Sequence, residues 1–349
     1  MSNTTSMPKL TFKPAQVSKR LIADLPDRAR DVIVSRYGLG SKTKSETLDA
    51  IGKRYGITRE RVRQIENHAI KLIQESAALQ RENTSFQTLE QEIRELGGVL
   101  PESMILAEFA HDEETQNHIY FLLVVGKSFN LSKENPDFKA RWYVDHDVAK
   151  AVEDALKQVH AKVKSDAVLQ ETELIEHVMT CLTRVNSKYK NKDTVRRWLE
   201  LSNCLMRNPL GEWGKTSAPG IKVKNVRDHA YLALKRHGSP MHFREVAAAI
   251  TKLFGRKAHE ATTHNELIKD SRFVLVGRGI YALKEWGYRV GPVVEIIKHI
   301  LKESKEPLTR EEIMKRVAKE RYVKPNTIIV NLQNPVFTKL NGKYALKGA

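Results

Sequence analysis

Turn-forming or polar clusters interrupt this 349-residue chain at Asn83–Ser85, Asp145–Asp147, residues 211–220 and Gly287–Pro292. The stretches between them run about 55–70 residues, the size of one supersecondary unit and too short for a large core. This spacing predicts five small modules, at 16–82, 86–146, 147–217, 224–287 and 291–347. At about 150 residues per domain, length alone would suggest two or three.

The last two modules match one another. One closes with Phe273-Val-Leu-Val-Gly-Arg-Gly-Ile-Tyr-Ala-Leu-Lys284, the other with Phe337-Thr-Lys-Leu-Asn-Gly-Lys-Tyr-Ala-Leu-Lys347. Each reads as an apolar strand, a tight turn and a second strand. Gly277-Arg-Gly279 and Asn341-Gly342 supply turn residues that tolerate positive φ. Ahead of the first hairpin, Val226, Ala230, Leu232, Ala233 and Leu234 form one helical apolar set. Phe243, Val246, Ala247 and Ile250 form a second after Gly238-Ser-Pro240, and Leu267 with Ile268 a third. Three helices followed by a hairpin is the winged-helix plan. The middle modules repeat it more weakly, with Ile119–Phe129 and Phe138–Val144 closing one and Trp198–Trp213 the other. The expected fold class is mainly α with short β-hairpin wings, a tandem array of helix-turn-helix and winged-helix modules.

Charge narrows the partners. The chain carries a net +17, distributed as +7 over 1–83, −7 over 84–160 and +17 over 161–349. Two basic arms around an acidic block point first to nucleic acid, with anionic membranes or acidic proteins as weaker options. Phosphate would avoid the acidic block, which suits a spacer or a protein-docking surface. No run of about 18 apolar residues is present to span a membrane. The opening MSNTTSMPKLTFKPA lacks a secretory apolar stretch. Two Cys, at 181 and 204, make neither a disulfide framework nor a four-Cys zinc site. A soluble cytoplasmic, nucleoid-associated protein is expected.

The first module offers a reading helix. Leu48–Tyr55 is a helical pattern, Gly56-Ile57 a turn, and Thr58 a good N-cap for a second helix. Val62, Ile65, Ala69 and Leu72 make the buried stripe of that helix. At about 100° per residue, Arg59, Glu60, Arg63 and Gln64 fall on the opposite face, close to the helix start. In a major groove Arg reads guanine, Gln adenine, and Glu accepts from cytosine. The pattern alone leaves a merely solvated charged face equally open.

The stretches Leu25-Pro-Asp-Arg-Ala-Arg-Asp-Val-Ile-Val-Ser-Arg-Tyr-Gly-Leu39, Thr47-Leu-Asp-Ala-Ile-Gly52 and Gly56-Ile-Thr-Arg-Glu-Arg-Val-Arg-Gln-Ile-Glu66 resemble region 4 of primary-type bacterial sigma factors. That family's module reads the −35 promoter element and docks on RNA polymerase. The resemblance implies base reading by Arg59, Glu60, Arg63 and Gln64. It implies phosphate contacts by Arg28 and Arg36, by Thr47 and Lys53, and by Thr58 and Arg61 at the start of the reading helix. It spans residues ~16–80, and the family's region 2 has no counterpart in the chain.

Residues 224–287 resemble the HARE-type winged helix, as found in the RNA polymerase delta subunit. The resemblance lies in Val226-Arg-Asp-His-Ala-Tyr-Leu-Ala-Leu, Gly238-Ser-Pro-Met-His-Phe-Arg-Glu-Val246, Asp270-Ser-Arg-Phe-Val and the Leu283–Trp286 ending. It implies association with DNA or polymerase. Arg244, Lys252, Arg256 and Lys257 are the candidate phosphate contacts. In the last module Thr309 and Glu312 form a capping pattern, Val323-Lys-Pro-Asn starts a third helix, and Lys324 and Asn326 are candidate contacts.

Enzyme chemistry finds no footing. His111-Asp-Glu-Glu114 is a run of neighbours that do not converge on one ion. His229, His237, His242, His259 and His264 crowd one module without a zinc spacing. Pro136-Asp137-Phe-Lys139 lacks the second acid of a nuclease, and no P-loop, nucleophile elbow or dinucleotide fingerprint occurs. Cys181 and Cys204 sit on apolar faces and read as packing. No catalytic residue, metal, cofactor or small-molecule substrate is expected. The leading reading is a bacterial DNA-binding transcription factor that reads a −35-type element in double-stranded DNA and associates with core RNA polymerase. Two others stand beside it: a delta-like accessory subunit of the polymerase, and the DNA-recognition part of a restriction or modification system.

Overall fold

The structure is a computed structural model describing residues 10–40, 44–183, 185–289, 291–304 and 306–347. The first nine residues of the opening segment lie outside the described residues. The chain divides into two compact units, one running to Arg207 and including Gly211–Ala218, the other comprising Asn208–Leu210 and Pro219 onward.

The first unit begins with five helices and almost no interruption: α1 (Pro14–Ile22), α2 (Asp27–Tyr37), α3 (Leu48–Tyr55), α4 (Arg59–Glu75) and α5 (Ala77–Arg81). From there one order, helix–strand–helix–helix–strand–strand, recurs four times. The first instance is α6 (Asn83–Leu96), β1 (Val99–Pro101), α7 (Glu102–Phe109), α8 (Glu113–Val125), β2 (Asn130–Ser132) and β3 (Arg141–Tyr143). The second is α9 (His146–Lys162), β4 (Val168–Leu169), α10 (Glu171–Cys181), α11 (Lys192–Leu199), β5 (Leu205–Arg207) and β6 (Trp213–Lys215). The second unit holds the other two. One is α12 (Val226–His237), β7 (Met241–His242), α13 (Phe243–Phe254), α14 (Glu260–Lys269), β8 (Phe273–Gly277) and β9 (Ile280–Leu283). The last is α15 (Val293–Ser304), β10 (Leu308–Thr309), α16 (Arg310–Glu320), α17 (Pro325–Asn331), β11 (Phe337–Leu340) and β12 (Lys343–Leu346).

In every instance the short strand after the first helix pairs antiparallel with the final strand, giving sheet orders β1-β3-β2, β4-β6-β5, β7-β9-β8 and β10-β12-β11. The protein is thus mainly helical with small three-stranded sheets, the helix-turn-helix and winged-helix architecture its patterning predicts. Patterning anticipates the hairpins but not their third strand, which is only two or three residues long and has no period of its own. Thr309 shows why. It pairs with Lys343 in the sheet and also caps α16, its hydroxyl accepting from the Glu312 amide while Glu312 bonds back.

Four expectations need correction. Ile119–Phe129 is not a strand: it is helical to Val125, because an unbroken apolar run buried on all sides carries no period to separate helix from strand. The strand of Phe138–Val144 shrinks to Arg141–Tyr143. Asn83–Ser85 is not a break but the first turn of α6, and the chain turns instead at Ser76, whose hydroxyl caps α5. Gly277 also differs from a turn residue. It ends β8 beside Tyr322, where an added Cβ would lie 2.5 Å from the Tyr322 carbonyl oxygen. The turn itself uses Gly279, at φ 71°, and in the last hairpin Asn341 and Gly342, at 48° and 83°.

The cores follow from these elements. One apolar cluster runs from Val17 and Leu21 of α1 through Ile33, Tyr37, Ala69 and Ile73 to Phe121, Leu122 and Trp142. A small second one, Val32, Ile51 and Val62, closes α2, α3 and α4 against each other. In the second helix–strand repeat, fully buried Trp198 donates from Nε1 to the Gly97 carbonyl at 3.2 Å.

Candidate nucleic-acid interface

Two glycines set the angle between α3 and α4. Gly56 caps α3 at φ 64°, a left-handed conformation with open space around it. Gly52 is helical, but a Cβ there would lie 2.7 Å from the Ile57 carbonyl oxygen, so only glycine lets the turn fold back this closely. The Thr58 hydroxyl then accepts from the Arg61 amide at 3.2 Å and starts α4, as Thr47 does for α3 through the Ala50 amide at 3.2 Å. Each hydroxyl keeps its own proton to donate outward.

With Val62 and Ala69 fully buried and Ile65 half-buried, α4 presents Arg59, Glu60, Arg61, Arg63 and Gln64 as exposed side chains over its first two turns. These groups are held by one another. Arg63 donates to both carboxylate oxygens of Glu60, at 2.7 and 2.9 Å, which pulls the Glu60 carboxyl below its ordinary value. Arg61 donates to Gln64 Oε1 at 3.0 Å. Arg59 makes no side-chain hydrogen bond or salt bridge among the described residues, and acts on Glu60 only through its charge. These short-range exposed pairs cost little to break, so the side chains are available to an incoming ligand.

The remaining sequence-predicted contacts of this segment divide. Arg28 is exposed, its guanidinium 5.1 Å from the centre of the Tyr55 ring. Lys53 is exposed and paired with Asp49 at 2.8 Å. Arg36 turns inward: its Nε lies 3.6 Å from Glu66, and its Nη1 donates to the Glu46 carbonyl at 3.3 Å. Glu66 is 8% exposed and accepts from the Tyr37 hydroxyl at 2.9 Å. Burial and that carboxylate push the Tyr37 phenol well above its ordinary value. Sequence reasoning took Glu66 as the end of a motif and missed it as the polar anchor of α2 on α4. Arg54 was also missed. It joins Asp31 at 2.8 Å, Ser35 at 2.8 Å and Glu46 at 3.0 Å, tying α3 to α2.

The face of this bundle turned towards the first winged repeat is covered. Phe121 of α8 packs 5.3 Å from Tyr37, Asn117 donates to the Gly38 carbonyl at 3.4 Å, and Gln74 of α4 donates to the Val125 carbonyl at 3.3 Å. Consequently α8, the third helix of its repeat, is buried along most of its length.

Residues 21–75 match the family described as sigma-70, region 4. The chain is also similar to the RNA polymerase principal sigma factor HrdD of Streptomyces griseus, 43% identical over 61 residues. It is similar to the sigma factor RpoS of Coxiella burnetii, 47% over 53 residues, and to RpoD of Helicobacter pylori, 47% over 51 residues. These alignments cover 18%, 15% and 15% of this chain and 18%, 15% and 8% of the relatives. The chain therefore spans less than a fifth of the curated relatives it matches.

In the second unit the predicted contacts lie on and just after α13 in one repeat and at the start of α17, the third helix, in the other. Arg244 lies in the first turn of α13 and pairs with Glu260 at 3.1 Å. Lys252 is in that helix's last turn, and exposed Arg256 and Lys257 follow its Gly255 cap. Lys324 caps α17 and Asn326 is in its first turn, both exposed. Leu267 is buried but Ile268 is 61% exposed, so the apolar pair expected on α14 is split between core and solvent. The motif residues Asp228, Asp270 and Arg272 meet instead, Arg272 reaching the two carboxylates at 2.8 and 2.7 Å. Of the crowded histidines, His264 stacks on Phe243 at 4.4 Å and His229 packs edge-on to Phe254. Cys181 is buried, whereas Cys204 is half-buried. Among the described residues no group of three His, Cys, Asp or Glu side chains is placed to hold a metal ion, and no helix is long and apolar enough to cross a membrane.

Proposed function

We propose that this protein is a sequence-specific DNA-binding transcription factor whose N-terminal module, 16–82, lays α4 in the major groove of a −35-type element. Arg59, Glu60, Arg63 and Gln64 read base edges. Arg28, Lys53, Arg61, Thr47 and Thr58 hold phosphates, and Arg36 joins them by releasing Glu66. The observation that carries this reading is the exposed polar face at the start of α4, on a helix-turn-helix closed by Gly52 and Gly56, within the segment similar to sigma-70 region 4. RNA polymerase is its protein partner on this reading, supported by relatives named as RNA polymerase sigma factors, and its setting is cytoplasmic and nucleoid-associated. On this reading the chain acts through binding, without chemistry of its own.

The same reading divides the rest into four winged modules, at 86–146, 147–217, 224–287 and 291–347, with 224–287 of HARE type. The Asp228–Arg272–Asp270 cluster supports that last assignment by giving its quoted motifs one shared structural task. In the C-terminal pair protein contact outweighs DNA contact. Helix α14 has Glu260 and Glu266 against Lys269, and α17 has no charged side chain. Each exposes an aliphatic residue, Ile268 at 61% and Val330 at 63%, where phosphate recognition would need cations. Arg244, Lys252, Arg256, Lys257, Lys324 and Asn326 then serve as auxiliary phosphate contacts.

Titration of the full chain against duplexes with intact and scrambled −35-type elements, at two salt concentrations, tests the proposal. Preference for the intact element at both salts supports it. Affinity that falls steeply with salt and ignores sequence refutes it. Retention of core polymerase by the chain, lost on Ile268→Glu with Val330→Glu, tests the C-terminal assignment.

A further inference from the structure

The two winged repeats of the second unit meet around a cavity of about 640 Å3. Leu275 and Ile280 of the β8–β9 hairpin form one wall, and Val293 and Val323 of the last repeat form the other. Three cations line it: Arg278 in the hairpin turn, Arg321 just past α16, and Lys324 at the cap of α17. Among the described residues no acidic side chain does. Leu275 and Tyr322 remain 52% and 50% exposed, so the apolar wall is open to a ligand.

Arg321 makes this more than a surface groove. It is 6% exposed, and among the described residues its guanidinium donates only to backbone carbonyls: Nη1 to Leu275, Nη2 to Arg289 at 3.0 Å and to Gly291. Its Nε is buried and has no hydrogen-bond partner among the described residues. Burial lowers its hold on the proton, opposed only by the nearby Glu320. A buried guanidinium without a paired carboxylate is costly, and an anion beside it offsets that cost. The volume falls in the range of ordinary small-ligand sites, about 300–1,000 Å3, which are mostly apolar with a few convergent polar groups.

We propose that this cavity binds a small amphiphilic anion, an apolar body bearing one carboxylate, sulfonate or phosphate, held by both repeats at once. The apolar body lies on Leu275, Ile280 and Val323, and the head group faces Arg278, Arg321 and Lys324. Because its walls come from two repeats already stitched by the Tyr322 amide to the Val276 carbonyl at 2.8 Å, an occupant stiffens their junction. The inference stands independently of the DNA-reading proposal.

The test is titration of the full chain with 8-anilinonaphthalene-1-sulfonate, with fluorescence giving affinity and calorimetry giving stoichiometry. The expected result is one site per chain. Affinity should fall about ten-fold in Arg278→Ala with Lys324→Ala, as the loss of charge-assisted contacts requires. It should fall further in Leu275→Glu, and stay unchanged in Lys302→Ala with Lys315→Ala, two exposed lysines away from the cavity lining. Neutral N-phenyl-1-naphthylamine should bind at least about ten-fold more weakly. Phenylacetate and phenyl phosphate as competitors identify the preferred head group. Circular dichroism checks that each variant is folded, and the charge and apolar variants report separately if one is not. Several sites per chain, affinity unchanged from the native chain in both cavity variants, or equal binding of the neutral dye would overturn the proposal.

Discussion

Replacing Gly52 by Ala probes the geometry on which α4 depends. The new methyl group would sit 2.7 Å from a backbone oxygen, that of Ile57, and 3.4 Å from the Arg59 amide nitrogen. Backbone cannot swing aside as a side chain end can, so the α3–α4 turn must open by several tenths of an ångström. Overpacking of this kind costs about 1–3 kcal/mol. In a unit of this size that lowers the melting temperature by about 2–4 °C per kcal/mol. Opening the turn also re-aims α4, so duplex affinity falls with stability. Gly56 provides the contrast: nothing lies within 4 Å of its Cβ position, and the cost of Ala there comes from φ 64° alone. Asn, which tolerates that conformation, should recover part of the loss at Gly56 and none at Gly52. Scanning calorimetry and duplex titration of these variants give the answer. A Gly52→Ala protein with unchanged melting temperature and unchanged affinity would refute the turn as described.

Three further outcomes follow from packing and titration. Trp198→Ala empties a fully buried site and loses the bond to Gly97, which predicts about 3–5 kcal/mol of destabilisation in chemical denaturation. Arg272→Ala leaves the Asp228 and Asp270 carboxylates, 15% and 12% exposed, without their shared cation, and predicts a comparable loss of about 3–5 kcal/mol in the same assay. Burial holds the His118 imidazole below its ordinary value, so the folded chain binds fewer protons than the unfolded one below about pH 6.5. Its contribution is full above that pH and shrinks as pH falls towards the folded value. The stability-against-pH curve should therefore flatten in His118→Gln.

How much of this was legible in the sequence depended on whether a residue's task was local. The Thr58 cap, the Gly56 turn and the stripe from Val62 to Ala69 are set within a few positions of one another, and the pattern specified them. The Tyr-Ala-Leu-Lys hairpins were likewise written locally. Partners distant in sequence were not. Glu66 beneath Tyr37, Arg54 across to Asp31, and Arg272 between Asp228 and Asp270 gain meaning only when helices cross. The burial of α8 had no signal either. An apolar run facing two neighbours has lost the polar face that would have revealed its period. Gly277 misled for a related reason, since its glycine serves a backbone neighbour 45 positions away at Tyr322 rather than its own turn.

The proposed function rests on base reading by the start of α4. It is tested most directly by measuring the affinity of the native chain and of Arg63→Ala for a −35-type duplex and for every single base-pair substitution in it. If α4 reads bases, Arg63→Ala weakens the intact duplex by about 1–3 kcal/mol and abolishes discrimination at one base pair while leaving the other positions graded as before. A uniform loss across all duplexes would make Arg63 a phosphate contact, and no loss at all would contradict the reading of this face.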